Sequence, residues 1–300
     1  MAARLAAMGV RGYDQVLMEK RWNGRVVDRT VEALKQLAAI KGPALVFVQS
    51  MGDVFHEGIS DEQISDIIVQ MYVRRDVTFQ ILTKRPDRAL AYVQKITDGK
   101  AGLGNALRRV GKANIADVIE LAAVMTGPGD GMPPCQLAPN IWMGVTCENQ
   151  EMADQRLPLL LQIPAAVRFV SIEPMLGPVI VPDVIEAGAD GRDGIWFDPL
   201  RANNRNAINW MIVGAESGAQ RRPGKIEWVR DIVAQCRAAA VPVFVKQLDL
   251  PGHKKVVKDV AMFPVDLQIQ QWPAGAGRSV GATHASPVRA RTEGQKGTDA

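Results

Sequence analysis

Residues 141–173 read IWMGVTCENQEMADQRLPLLLQIPAAVRFVSIE. The stretch opens and closes on short apolar runs, Ile141–Thr146 and Val167–Glu173, each ending in polar residues. Mostly continuous apolar runs of this length, without clean alternation, suit parallel strands covered on both faces. Between them Gln150–Gln162 carries a helical pattern. A strand, a helix and a second strand in that order are the repeating βα unit of a parallel sheet.

The unit recurs on both sides of this stretch. Further strands are predicted at Ala44–Ser50, Thr78–Thr83, Trp210–Ala215 and Pro242–Gln247, and further helices at Asp28–Ile40, Asp87–Ile96 and Ile226–Ala240. Ser60 followed by Asp61, Glu62 and Gln63 forms a capping box that starts another helix, DEQISDIIVQMYV. The expected fold class is therefore α/β, an incomplete TIM-barrel-like, mainly parallel sheet with outer helices. One domain should span residues 1–272, with insertions at the surface over 97–140 and 182–208. A helix is expected around Ile115–Met125 inside the first insertion. Residues 273–300 hold almost no large apolar side chain and should form a disordered tail. The first strand lies behind a helical opening that starts at Met1 without a cap, as though the chain began inside a repeat.

The 300 residues are 47% hydrophobic and 23% charged, enough apolar material for a sizeable core. No run approaches the roughly 20 uncharged apolar residues of a membrane helix. The opening MAARLAAMGVRG is too short and polar for a secretory signal. A cytoplasmic protein without membrane contact is expected. Cys135, Cys147 and Cys236 are odd in number and far apart, which leaves no disulfide framework, no C-x-x-C clip and no metal site. The net charge of +4, from 36 Lys and Arg against 32 Asp and Glu, permits nucleic acid without demanding it.

Ligands of parallel α/β folds bind beyond the carboxyl ends of the strands, so the polar residues there are the candidate site. After the first strand come Ser50, Asp53, His56 and Glu57; after the second, Lys84 and Arg85; after the third, Glu148 and Asn149. Glu173 follows the fourth, Glu216 and Ser217 the fifth, and the sixth carries Lys246 and Gln247. The candidate catalytic groups are Asp53, His56, Glu173 and Glu216, and the candidate cofactor-binding groups are Ser50, Asp53, Glu57, Lys84, Arg85, Glu148, Asn149 and Ser217. Each also has a plainer reading. His56 can be a hydrogen-bonded loop residue, and Lys84 with Arg85 can cover a helix start. Glu148, Glu173 and Glu216 can pair with Lys84, Arg85 or Lys246 simply to close the barrel mouth. GAESG at 214–218 lacks the spacing of a dinucleotide fingerprint, no G-x-S-x-G elbow is present, and neither is H-E-x-x-H.

The blocks FVQSMGDVFHEGIS, FQILTKRPDRA, NIWMGVTCENQEMADQRLPLLLQIPAAVRFVSIEPMLGP, WMIVGAESG with the following RRP, and VPVFVKQL together resemble the phage gp-thirty-seven/gp-sixty-eight family. That group of phages, prophages and bacteria has no assigned function and is itself similar to radical SAM enzymes. The resemblance runs from Met1 to about Pro273, the two insertions excepted. It implies an incomplete barrel whose first strand and loop carry three cysteines for an iron–sulfur cluster that binds and cleaves S-adenosylmethionine. Those cysteines would lie upstream of MAARLAAMG, and Cys135, Cys147 and Cys236 do not stand in their positions. It also implies that Ser50, Asp53, His56 and Glu57 face the cofactor while the other strand-end residues line the mouth.

The expectation is a radical-SAM-like protein acting on an unknown substrate, a nucleotide, nucleic acid or protein, truncated and inactive as it stands. Two other classes are a non-enzymatic barrel that binds nucleic acid or a partner protein, and a barrel hydrolase using Glu173 or Glu216 as acid or base.

Overall fold

A computed structural model describes residues 17–18, 21–22, 30–49, 52–97, 102–110, 137–183, 185–187, 195–197, 199–200, 206–218 and 220–273. Ser50, Cys135, the helix expected around Ile115–Met125 and the tail beyond residue 273 lie outside the described residues.

Six strands form the main sheet: β1 (Ala44–Val48), β2 (Val77–Thr83), β3 (Ile141–Thr146), β4 (Arg168–Ile172), β5 (Trp210–Gly214) and β6 (Val243–Gln247). They stand side by side in chain order, and every neighbouring pair is parallel. The sheet curls into a half-barrel with helices, an α/β fold. The described helices are α1 (Thr30–Ala39), α2 (Asp61–Val73), α3 (Pro86–Thr97), α4 (Leu103–Val110), α5 (Gln150–Gln162) and α6 (Ile226–Ala238). None of the described helices is long and apolar enough to cross a membrane.

The two faces of the sheet explain the continuous apolar runs. Met143 and Val145 of β3, Val170 and Ile172 of β4, and Met211 and Val213 of β5 join the main core with Ile64 and Ile68 of α2, Leu157 and Leu160 of α5 and Ile232 of α6. The alternate positions Trp142, Phe169, Trp210 and Ile212 form a second cluster, joined by Leu45, Leu82 and Phe244. Gly144 sits in this second layer because a Cβ there would come within 2.4 Å of the Phe169 ring. Trp210 is its hub, stacked on Trp272 at 4.9 Å and edge-on to Trp142 and Phe244.

The two sheet edges differ. Beside β6 the chain returns antiparallel, with Val245 N–H donating to Ile269 O and Gln271 N–H donating to Val243 O. β1 is the outermost strand on the other side, and among the described residues no strand pairs with its outer edge.

The capping box is as read: Ser60 Oγ accepts from Gln63 N–H at 3.2 Å and Gln63 Oε1 from Ser60 N–H at 2.9 Å. The stretch 97–140 departs from the surface reading. Within it α4 buries Leu103, Ala106 and Leu107 in the main core, and Arg109 bridges to Asp66 of α2 at 2.7 Å. Between β4 and β5, Ile185–Ala187 and Ile195–Phe197 pair as a small antiparallel ribbon.

Candidate functional site at the carboxyl end of the sheet

Because all six strands point the same way, Asp53, Lys84, Glu148, Glu173 and Glu216, which follow β1 to β5 in turn, stand at one end of the sheet. Each of the four acids is held by a named partner.

Asp53 is the most heavily bound. Its carboxylate accepts from Thr83 Oγ1 at 2.8 Å, from the backbone N–H of Lys84 and of Phe55 at 2.9 Å each, and from Arg85 at 3.3 Å. A carboxylate offers about four lone-pair sites, so Asp53 has no acceptor capacity to spare. Glu57 takes the other side of Arg85, at 2.6 Å from its Nε, and that hydrogen bond holds the Glu57 carboxyl down at about 2. His56 accepts the Gly58 N–H on Nδ1 at 3.0 Å, which places the proton of the neutral ring on Nε2, 3.6 Å from Glu57. Arg88 pins this loop by donating to the carbonyl oxygens of Phe55, His56 and Ile59.

Glu148, only 8% exposed, lies between Lys84 and Arg156, with Arg156 at 2.8 Å. Burial opposes its ionisation, yet the Lys84 hydrogen bond and the two nearby cations hold its carboxyl below the usual range. Asn149 caps α5, its Oδ1 accepting from Met152 N–H at 3.0 Å.

Glu173 reaches across β5 to β6, where Lys246 Nζ is 2.8 Å away and Gln247 Nε2 3.1 Å. Gly214 makes this crossing feasible, since a Cβ there would meet Gln247 at 3.3 Å and Glu173 at 3.4 Å. Gln247 also donates to Ala215 O at 2.5 Å. Glu216 is held by Arg222 through its side chain and its backbone N–H, both at 2.8 Å, and the side-chain bond pulls the Glu216 carboxyl down to about 2. At neutral pH Glu216 is therefore an anion with no proton to give. Ser217 is exposed in the loop that follows.

Cys147 and Cys236 are buried in the main core, and burial pushes both thiols up to about 12. Two protonated thiols on separate elements do not fit an iron–sulfur cluster. Among the described residues no group of three His, Cys, Asp or Glu side chains is placed to hold a metal ion.

Several site residues were given no role from the sequence. Arg88, Arg156 and Arg221 stand inside the motif blocks and Asp249 just beyond the last of them, and their partners come from loops that meet only in the fold. One signal was available: the strand-end acids and the bases near them nearly balance, which is the mark of pairing.

A family model described as a protein of unknown function, DUF5131, matches residues 1–281. The chain belongs to that family. No curated protein and no solved structure matches it. Membership in this family assigns the chain no reaction.

Proposed function

We propose that the mouth binds a small zwitterionic ligand, S-adenosylmethionine, in a radical-SAM-like protein of phage or prophage setting. The motif resemblance and the parallel half-barrel support the family setting. The observation that carries the ligand class is Glu173, a carboxylate laid over Gly214 at the centre of the mouth with Lys246 and Gln247 beside it. A zwitterion can exchange with such a couple: its ammonium takes the place of Lys246 on Glu173, and its carboxylate takes the freed Lys246. Lys246 and Lys84 are about half exposed and keep their amines accessible to the ligand.

Bound S-adenosylmethionine supplies an electrophilic sulfonium, and in radical enzymes a reduced iron–sulfur cluster cleaves it. Cys147 and Cys236 cannot hold that cluster, so no reaction step is assigned to this chain. What its own residues do is bind and orient. Glu173 fixes an ammonium, Lys246 fixes the carboxylate, and the network around Asp53 holds the loop after β1 in place.

A hydrolase reading finds no acid in Glu216, which the Arg222 hydrogen bond holds ionised. Isothermal titration calorimetry with S-adenosylmethionine tests the proposal. Binding should be seen with the wild-type chain and should weaken about tenfold in Glu173→Gln, the usual worth of one charged hydrogen bond. Heat changes absent with the folded wild-type protein would sink it.

A further inference from the structure

The charge of this chain is unevenly placed. Residues 221–258 hold nine Lys or Arg against three Asp or Glu, a net of six positive charges where the whole chain nets four. The remainder is therefore slightly acidic, and the basic character of the protein belongs to one stretch.

That stretch contains two loops that flank the mouth at its β5–β6 end, and they are fastened to each other. Arg221, in the loop between β5 and α6, contacts Asp249 just after β6, with its Nη2 at 2.7 Å and its Nε at 3.1 Å. The same guanidinium donates to His253 O at 3.0 Å and to Lys254 O at 2.8 Å. The second loop is closed at its base, where Leu248 and Val257 exchange backbone hydrogen bonds of 2.9 and 2.8 Å. It turns at Gly252, whose φ of +81° suits glycine.

The result is a fixed platform. Arg221 spends its donors on the loops and leaves Arg222, Lys225, Lys254, Lys255 and Lys258 exposed around them. Among the described residues, none of Lys225, Lys254, Lys255 and Lys258 has an ion pair with an acid, and Lys225 instead lies 5.4 Å from the centre of the Trp228 ring. α6 begins at this platform, and Lys225 gives its first turn no side-chain cap, so the positive end of the helix adds to the same field.

We propose that this platform binds the phosphate backbone of a nucleic acid that passes beside the mouth. Exposed lysines held at fixed loop positions suit a repeating phosphate better than a single compact anion, which needs convergent donors in a pocket. The cleft at the start of α6, lined by Gly224, Lys225, Ile226 and Asp249, holds only about 10 Å³, room for one water. The inference does not depend on the small-ligand proposal, since none of Glu173, Lys246 or Lys84 belongs to the platform.

Fluorescence anisotropy with a short labelled single-stranded oligonucleotide, titrated with the full chain at several salt concentrations, tests it. Affinity should fall as salt rises, with a log–log slope near that of three to four released counterions, about −2 to −3. Lys254→Ala/Lys255→Ala/Lys258→Ala should keep the wild-type melting temperature, weaken binding about tenfold or more and flatten the slope by about 2. Unchanged affinity in that variant, or no binding at low salt, overturns the proposal. Poly-L-glutamate competing as well as unlabelled oligonucleotide at equal charge also overturns it, and assigns the platform to an acidic protein partner.

Discussion

Asp53 and Glu148, beyond β1 and β3, keep 11% of their side-chain surface each, whereas Glu173 and Glu216, beyond β4 and β5, keep 19% and 26%. Both halves of the mouth are built from acid–base couples, but solvent treats them differently. On the β1–β3 side the carboxylates are desolvated and tolerated only because several donors meet each one. On the β5–β6 side Lys246 and Arg222 remain largely in water, where a pair is worth little and can trade its partner for a ligand. Residue type alone does not separate scaffold from binding surface. The depth at which each carboxylate is buried does.

The largest effect should come from the buried half. Asp53→Ala strands the Thr83 hydroxyl, two backbone N–H groups and Arg85, and should cost about 3 kcal/mol or more in urea unfolding. A loss under about 1 kcal/mol would erase the contrast between the two halves, since that is what a solvated pair is worth.

The two sheet glycines sharpen the comparison. Gly144→Ala drives a methyl into the Phe169 ring and should cost about 2 kcal/mol by overpacking. Gly214→Ala meets only the Gln247 and Glu173 side chains at 3.3 and 3.4 Å, so it should cost less and chiefly displace Glu173. Equal losses in thermal unfolding would mean that the mouth over β5 is as tightly packed as the aromatic layer.

Arg221→Ala should cost about 1 kcal/mol, the scale of a part-exposed hydrogen-bonded contact, and leave the rest of the fold unchanged. Hydrogen exchange should quicken at residues 250–256 and stay slow in β5. Protection that persists in that loop would show the Leu248–Val257 pairing to be sufficient without the clamp.

The smallest effect concerns pH. Glu216 titrates near 2 in the fold against an ordinary 4.5, so what it contributes to stability is complete above 4.5 and disappears as pH falls through about 2. The melting temperatures of wild type and Glu216→Gln should differ slightly at neutral pH and converge in acid. A gap that stays constant over that window would mean that the Arg222 pair contributes nothing.

Much of the fold was legible because helix and strand periodicities are short-range. Trp210–Gly214 and Val243–Gln247 fall within the runs read from their apolar residues, and Ser60 with Gln63 marked the start of α2. The helix Leu103–Val110 was readable too, from apolar residues at 103, 106, 107 and 110, but the surface reading of 97–140 hid it. Parallel order then placed every strand-end acid at one mouth. Only the tertiary structure decided what each charge does there. Arg168, inside an apolar run, is buried because Ile163 O and Asn206 Oδ1 accept from it, and Glu173 is bridged to a lysine 73 residues away. A local pattern records which face of an element is apolar. The partner of an ionised group is set by which distant loops the topology stacks together, and no neighbouring residue encodes that.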